Sequence, residues 1–234
     1  MLTKAKHIGI VACSVEGAAL CFREISAYSL KFMGEHLHPQ VTLSCIAMGE
    51  WMPAFNRGDY EGVADFMLRE TKIVAQAGAQ FAICPDNSAH LAFKHVVSRS
   101  PIPWLHIAEE VAKAAVRDGY RHAALLGTRF TMRGPVYPEM FEKYAVKISS
   151  PAEGDQKIID DIIFTELVNG IFSEASRLRY NEVIQRMQAR GCDSVILGCT
   201  EIPLLIRSDD CPLPTLDSTR LLARAAVDAA LQLN

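Results

Sequence analysis

No stretch of this sequence is apolar for long enough to cross a bilayer, so no transmembrane helix and no membrane partner are expected. Basic residues do not outnumber acidic ones. Lysine and arginine total 24 against 27 acids, the formal net charge is -3, and no basic cluster stands out. This removes the electrostatic footprint of a nucleic-acid binder or an anionic-membrane binder. No CxxC pair occurs, which argues against a structural zinc site. Neither GxGxxG nor a Walker lysine motif is present. No lysine sits in a recognisable Schiff-base context and no metal-ligand cluster is visible along the chain. The expectation is therefore no cofactor and no metal. Low-complexity segments and long linkers are also missing.

The 234 residues that remain to be explained are half hydrophobic and 22% charged, enough for one large or two small soluble domains. Seven cysteines form an odd set placed mostly in apolar runs, which favours reduced thiols over a disulfide framework. The opening "MLTKAKHIGIVACS" is basic and then apolar. Its apolar part is short and Glu16 arrives early, so it reads as a first buried strand rather than a leader, and the cytoplasm is the expected location.

Short apolar runs alternate with longer amphipathic ones. Strands are expected at His7–Cys13, Val41–Met48, Phe81–Cys84, His122–Thr128 and Ser194–Cys199. Helices are expected at Glu16–Met33, with Ala18, Ala19, Phe22, Ile25 and Ala27 facing a core, and at Tyr60–Ala77, Ser88–Ser98, Ile107–Arg117, Tyr137–Tyr144, Asp155–Asn169, Ser173–Ala189 and Asp217–Leu231. Apolar strands that do not alternate, each followed by a helix, imply a parallel sheet covered on both faces: an α/β fold. An internal echo is also present. "GIVACS" precedes "FAICPDNS" as "ALLGT" precedes "VILGCTE", at separations of 86−14=72 and 199−128=71 positions. Two similar α/β halves would produce it, the first from residues 1–100 with 213–234 and the second from 101–212. Ligands of such sheets collect at the carboxyl ends of strands, so the active site is expected between the halves.

Four segments carry candidate chemistry. In "GCTE", Gly198 to Glu201, Cys199 ends a strand where a helix begins. The helix dipole would favour a thiolate there, Gly198 would let a ligand approach, and Thr200 offers a hydroxyl to a carboxylate. A buried cysteine with Thr200 as a cap explains the same residues. In "CPDNSAH", Cys84 to His90, Asn87 and Ser88 suit a helix cap or a carboxylate. Asp86 fits a turn as well as a site, and His90 fits a core or supporting position better than a ligand position. "LLGTRFTM" offers Thr128 and Thr131 to an anion, and the N-terminal loop offers Ser14 and Glu16.

Taken together, "DNSAH", "GTRFTM", "VILGCTEIPLL" and "PTLDSTR" resemble the aspartate/glutamate racemase superfamily over nearly the whole chain. The resemblance implies two flavodoxin-like halves with pseudo-two-fold symmetry, a homodimer, no pyridoxal phosphate or metal, and two bases acting on opposite faces of an α-carbon. Cys199 matches the cysteine of the second half. In the first half the family cysteine is replaced by Asp86, with Cys84 two positions earlier. Asp86 and Cys199 are thus the expected base pair. Ser14, Asn87, Ser88, Thr128, Thr131 and Thr200 are expected to hold the carboxylate of an amino acid or related substrate, with Glu16, His90 and Glu201 in support. Asp160 and Asp161 stand where many relatives carry a basic residue, which argues against a preference for an acidic substrate. Arg23, Arg57 and Arg133 remain as sources of positive charge. Two other readings stay open: a single-cysteine decarboxylase or isomerase of a small carboxylate, and a non-catalytic small-carboxylate binding protein.

Overall fold

The computed structural model describes residues 5–233. These divide into two compact units: the first takes in the chain through Ile107 and resumes at Thr219, and the second runs Ala108–Ser218.

The first unit opens with β1 (Ile8–Ala12), which is wholly buried, followed by α1 (Val15–Met33). β2 (Val41–Cys45), α2 (Met48–Asn56), α3 (Tyr60–Gln76) and β3 (Phe81–Ile83) follow. After β3 come a 3-10 turn over Ser88–Ala92 and the short α4 (Phe93–Val97), so the single helix expected at Ser88–Ser98 is two pieces. The sheet order is β2-β1-β3, all parallel, with Ala12 beside Cys45 and Ile10 beside Ile83. β2 lies on the edge, which is why Leu43 and Cys45 are exposed although their run is apolar. The buried stripe of α1 is Ala18, Cys21, Ile25 and Ser29, spaced three and four apart. Ala19, Phe22 and Ala27, expected in the core, are exposed because they lie outside this stripe, Phe22 at its edge and Ala27 on the opposite side of the helix.

The second unit starts within α5 (Ile107–Arg117) and contains β4 (His122–Gly127), α6 (Arg129–Arg133), α7 (Val136–Lys143) and β5 (Lys147–Ser149). Then come α8 (Glu153–Thr165), α9 (Glu174–Ala189), β6 (Ser194–Gly198), the four-residue α10 (Ile202–Leu205) and β7 (Thr215–Asp217). Its sheet is parallel in the order β5-β4-β6-β7. β7 bonds to β6, so the chain leaves this unit after Ser218, whereas the sequence placed the change at 213. The earlier change falls after Ile107 rather than at 100 because Ile107 packs in the first unit's core. α11 (Ser218–Leu231) then lays Leu222, Ala223, Ala226, Val227 and Ala230 into that core.

The two sheets share one topology. Each puts its first strand in the middle, its second on one side and its third on the other. The likeness continues one step further, since Trp104 bridges β3 in parallel where β7 pairs with β6. This shared winding is the physical source of the echo in the sequence. In such an order the strand path reverses between the first and third strands, and their carboxyl ends open a crevice. Cys13 and Asp86 lie just beyond the ends of β1 and β3; Thr128 and Cys199 lie just beyond those of β4 and β6.

Gly127 and Gly198 pair across β4 and β6. A Cβ on Gly127 would stand 2.6 Å from the Gly198 carbonyl oxygen and 3.0 Å from the Thr131 Cβ. Gly127→Ala should therefore lower stability by about 1–3 kcal/mol, the usual cost of overpacking. Gly154→Ala meets nothing within 4 Å inside α8 and should be neutral or stabilising. Urea midpoints of both variants check this, and an unchanged midpoint for Gly127→Ala would refute it.

Candidate active site

In the first unit β3 stops at Ile83 because Pro85 has no N–H with which to continue the ladder. Asp86 then turns its side chain towards β1, where its Oδ2 accepts the Cys13 backbone N–H at 2.7 Å across 73 positions of sequence. This bond is long-range, beyond the local turn in which the aspartate sits. The Cys84 thiol lies 3.9 Å from the same oxygen, so Cys84 and Asp86 face one place although only Asp86 is partly exposed. The Trp51 indole N–H donates to the Cys13 carbonyl at 3.3 Å and pins the same loop. The Cys84 hydrogen bond, then burial, push the Cys13 thiol well above the ordinary thiol range, so it remains protonated near neutrality.

His90 supports this arrangement from beneath. Its Nδ1 is 3.0 Å from the Asp86 carbonyl, which can only accept, and its Nε2 takes the Ile107 N–H at 3.3 Å. These partners fix the tautomer with hydrogen on Nδ1. Burial, then the charge of neighbouring His106, push the His90 pKa well below the histidine range. The residue is a neutral brace for the Asp86 backbone. Asn87 occupies the cap position but its side chain makes no cap hydrogen bond; it is buried and Ser88 is half-buried. Ser14 is the buried N-cap residue of α1, also without a side-chain cap bond, and Glu16 is exposed on the first turn.

In the second unit the Cys199 Sγ is 3.0 Å from Glu201 Oε2, and the Thr200 hydroxyl donates to that same oxygen at 2.8 Å. All three residues are buried. At this distance the Cys199 thiol donates its proton to the Glu201 carboxylate as a hydrogen bond. The sequence attributed thiolate formation to a helix dipole. The structure replaces that cause, because α10 has four residues and a dipole that short is small. The Thr200 hydroxyl thus faces Glu201. The space beside Gly198 is filled as well: a Cβ there would meet the Leu126 carbonyl at 2.8 Å and Thr131 Cγ2 at 3.2 Å. Packing, not ligand approach, requires this glycine. Thr131 covers both glycines with its methyl, and its N–H donates to the Thr128 hydroxyl oxygen, which caps α6 at 3.3 Å.

Asp160 and Asp161 do not present charge to a site. Asp160 takes the Arg129 N–H at 2.7 Å and the Arg129 guanidinium at 3.0 Å, tying α8 to the start of α6. Asp161 pairs with Lys157 on the exposed face of α8. The argument against acidic substrates therefore loses its basis. Arg57 and Arg133 are exposed and paired with Asp59 and Glu153, and Arg23 is also exposed. Cys13, Cys84 and Asp86, far apart along the chain, bring their donor atoms to within 4.8 Å of one another. Sequence reasoning missed Cys13, Trp51 and Arg129 because their partners are remote in sequence. The only local hint was that Cys13 precedes Ser14 at a strand end.

The family model for Asp/Glu/Hydantoin racemase matches residues 14–226. The chain is 23% identical over 158 residues to the broad specificity amino-acid racemase RacX of Bacillus subtilis, covering 67% of each. It is 24% identical over 215 residues to a glutamate racemase of Pseudomonas putida, covering 88% of this chain and 72% of that one. A candidate Asp/Glu racemase from Yersinia pestis superposes with a TM-score of 0.88 at 30% identity, covering 97% of this chain and all of that one. An aspartate racemase homologue from Pyrococcus horikoshii gives 0.83 at 26% identity, covering 96% and 99%. No helix among the described residues is long and apolar enough to cross a membrane.

The state of His90 makes stability depend on pH. The unfolded ring gains a proton near its ordinary value of about 6.5, while the folded ring, with its pKa lowered, does not. Below that pH the unfolded state binds more protons, so stability falls as pH falls. Below about pH 6.5 the wild type should lose increasingly more stability per pH unit than His90→Gln in urea denaturation, the difference approaching about 1.4 kcal/mol per unit by pH 5. Equal slopes would assign the ring an ordinary pKa.

Proposed function

The chain belongs to the Asp/Glu/Hydantoin racemase family, and from that premise we propose that it is a cofactor-independent racemase or epimerase acting at the α-carbon of an amino acid or related carboxylate. Asp86 and Cys199 are the two bases of this reading. One takes the α-hydrogen as a proton and leaves the C–H electron pair delocalised into the α-carboxylate. The other returns a proton to the opposite face, which inverts the centre. The observation that carries the reading is that each unit sets one proton-transfer group at its own topological switch point, with that group hydrogen-bonded there: Asp86 to the Cys13 N–H and Cys199 to Glu201.

The carbanion is the costly intermediate, and donors aimed at the carboxylate lower its energy. Ser14, Asn87, Ser88 and Thr128 are the groups we assign to this role. Thr131 and Thr200 are moved to support, the first because it packs over the glycines and the second because it donates to Glu201. Glu201 holds the proton that Cys199 exchanges, and His90 braces Asp86. Relatives named glutamate racemase and broad specificity amino-acid racemase support an amino-acid substrate. We place the enzyme in the cytoplasm as a homodimer.

A decarboxylase or isomerase reading draws on one observation: a thiol that keeps its proton on a carboxylate partner is suited to protonating a carbanion by itself. Carbon dioxide release without α-proton exchange in a substrate screen would select it.

The unequal bases give the test. A catalyst leaves the enantiomer ratio at equilibrium equal to one, but the two directions need not run at equal rates. The enantiomer facing Cys199 should exchange its α-proton readily in D₂O. The enantiomer facing Asp86 meets a base whose reference pKa is only about 3.9, and should exchange more slowly. Cys199→Ala should abolish exchange from the first enantiomer. Asp86→Asn should spare that exchange and block net inversion. NMR of α-deuterium incorporation, followed for each enantiomer separately, reads both. Inversion that survives Asp86→Asn but not Cys84→Ala would move the first base to Cys84.

A further inference from the structure

The proposed chemistry leaves Cys13 and Cys84 without a task, yet both are buried against Asp86. The three side chains offer one donor atom each, all within 4.8 Å of one another, and they are the one such trio of metal-capable groups among the described residues. A tetrahedral ion with sulfur at about 2.3 Å and oxygen at about 2.0–2.2 Å needs its donor atoms about 3.4–3.8 Å apart. Cys84 Sγ and Asp86 Oδ2 already stand 3.9 Å apart. Closing the rest of the triangle asks for movements of about 1 Å or less.

We propose that Cys13, Cys84 and Asp86 form a binding site for a thiophilic divalent cation of the zinc type, and that filling it silences Asp86. Two sulfurs and one carboxylate select zinc-like ions over magnesium or calcium, which favour all-oxygen sites. Three protein ligands leave a fourth position for water, the pattern of an open rather than a closed zinc site. The supporting bonds are in place as well. The Cys13 backbone N–H holds the carboxylate at 2.7 Å, and His90 Nδ1–H holds the Asp86 carbonyl at 3.0 Å, as outer hydrogen bonds do around metal ligands. Asp86 is partly exposed while the thiols are not, so the ion enters from the carboxylate side. Binding is ligand exchange without redox: two S–H protons pass to solvent, two metal–sulfur bonds and one metal–oxygen bond form, and water leaves the ion. Affinity therefore rises with pH. The silencing rests on the role proposed for Asp86, whereas the cation site itself does not.

Cobalt(II) titrated into the intact chain reads the site directly. One equivalent should produce the visible bands of a four-coordinate ion together with sulfur-to-cobalt charge-transfer absorption, and zinc should displace both. Cys13→Ala and Cys84→Ala should each lose the charge-transfer absorption or weaken cobalt binding about tenfold or more. Cys45→Ala, at an exposed cysteine outside the trio, should retain it. Because emptying a buried position can unfold a chain, the isosteric Asp86→Asn serves as a second variant and should weaken binding by a similar factor. Absence of the absorption in the wild type, or its survival in all of the trio variants, overturns the site. In the same samples net inversion in D₂O should fall in step with cobalt occupancy. Undiminished inversion with the trio filled leaves the site standing and overturns the role given to Asp86.

Discussion

Parallel pairing of the first and third strands in each unit is the constraint from which the candidate site follows. Parallel neighbours cannot be joined by a tight turn, so the chain must travel through a crossover before it returns alongside. Residues at the two carboxyl ends are then close in space and far apart in sequence, as Cys13 and Asp86 are at 73 positions. The register is strict. Ile8, Gly9 and Ile10 face Phe81, Ala82 and Ile83, and continuing that count sets Cys13 opposite Asp86. Pro85 cannot extend the ladder, and the Asp86 carboxylate receives the Cys13 N–H that would otherwise need another strand residue. A slip of one residue would turn every side chain to the other face and remove this contact.

The same constraint explains what could be read from sequence. Strands such as "HAALLG" and "SVILG" are buried on both faces, so their apolar runs are unbroken and visible. β5 and β7 are three residues each and carry no periodicity to detect. α2 follows an apolar run without a break, so the sequence extends β2 through "IAM", whereas the helix begins at Met48. Polar contacts divide in the same way. Cys199, Thr200 and Glu201 are consecutive, so one short motif contains all three, although their mutual hydrogen bonds are seen only in the structure. The Arg129–Asp160 clamp joins two helices across 31 positions and left only two acids in the sequence, which invited a reading in terms of substrate charge.

The glycines show why a motif can be found for an incomplete reason. In the sequence Gly198 stands out only as the residue before the thiol. The structure needs it because the Leu126 carbonyl and the Thr131 methyl occupy the place of a side chain, and Gly127 faces the same restriction from the other strand. Packing at this junction sets where β6 ends, and the end of β6 sets where Cys199 stands. Fold and chemistry share these residues, so a substitution there acts on both.

The two strand-end groups also differ in their neighbours. The Cys199 thiol donates to Glu201 Oε2 at 3.0 Å. The Thr200 hydroxyl donates to the same oxygen at 2.8 Å. Asp86 has the opposite surroundings: its Oδ2 receives the Cys13 N–H, and the Cys84 thiol points at it. One strand-end group is thus a hydrogen-bond donor to a carboxylate and the other is a carboxylate that accepts, and that difference follows from a proline that ends one strand and a glutamate three residues past the end of the other.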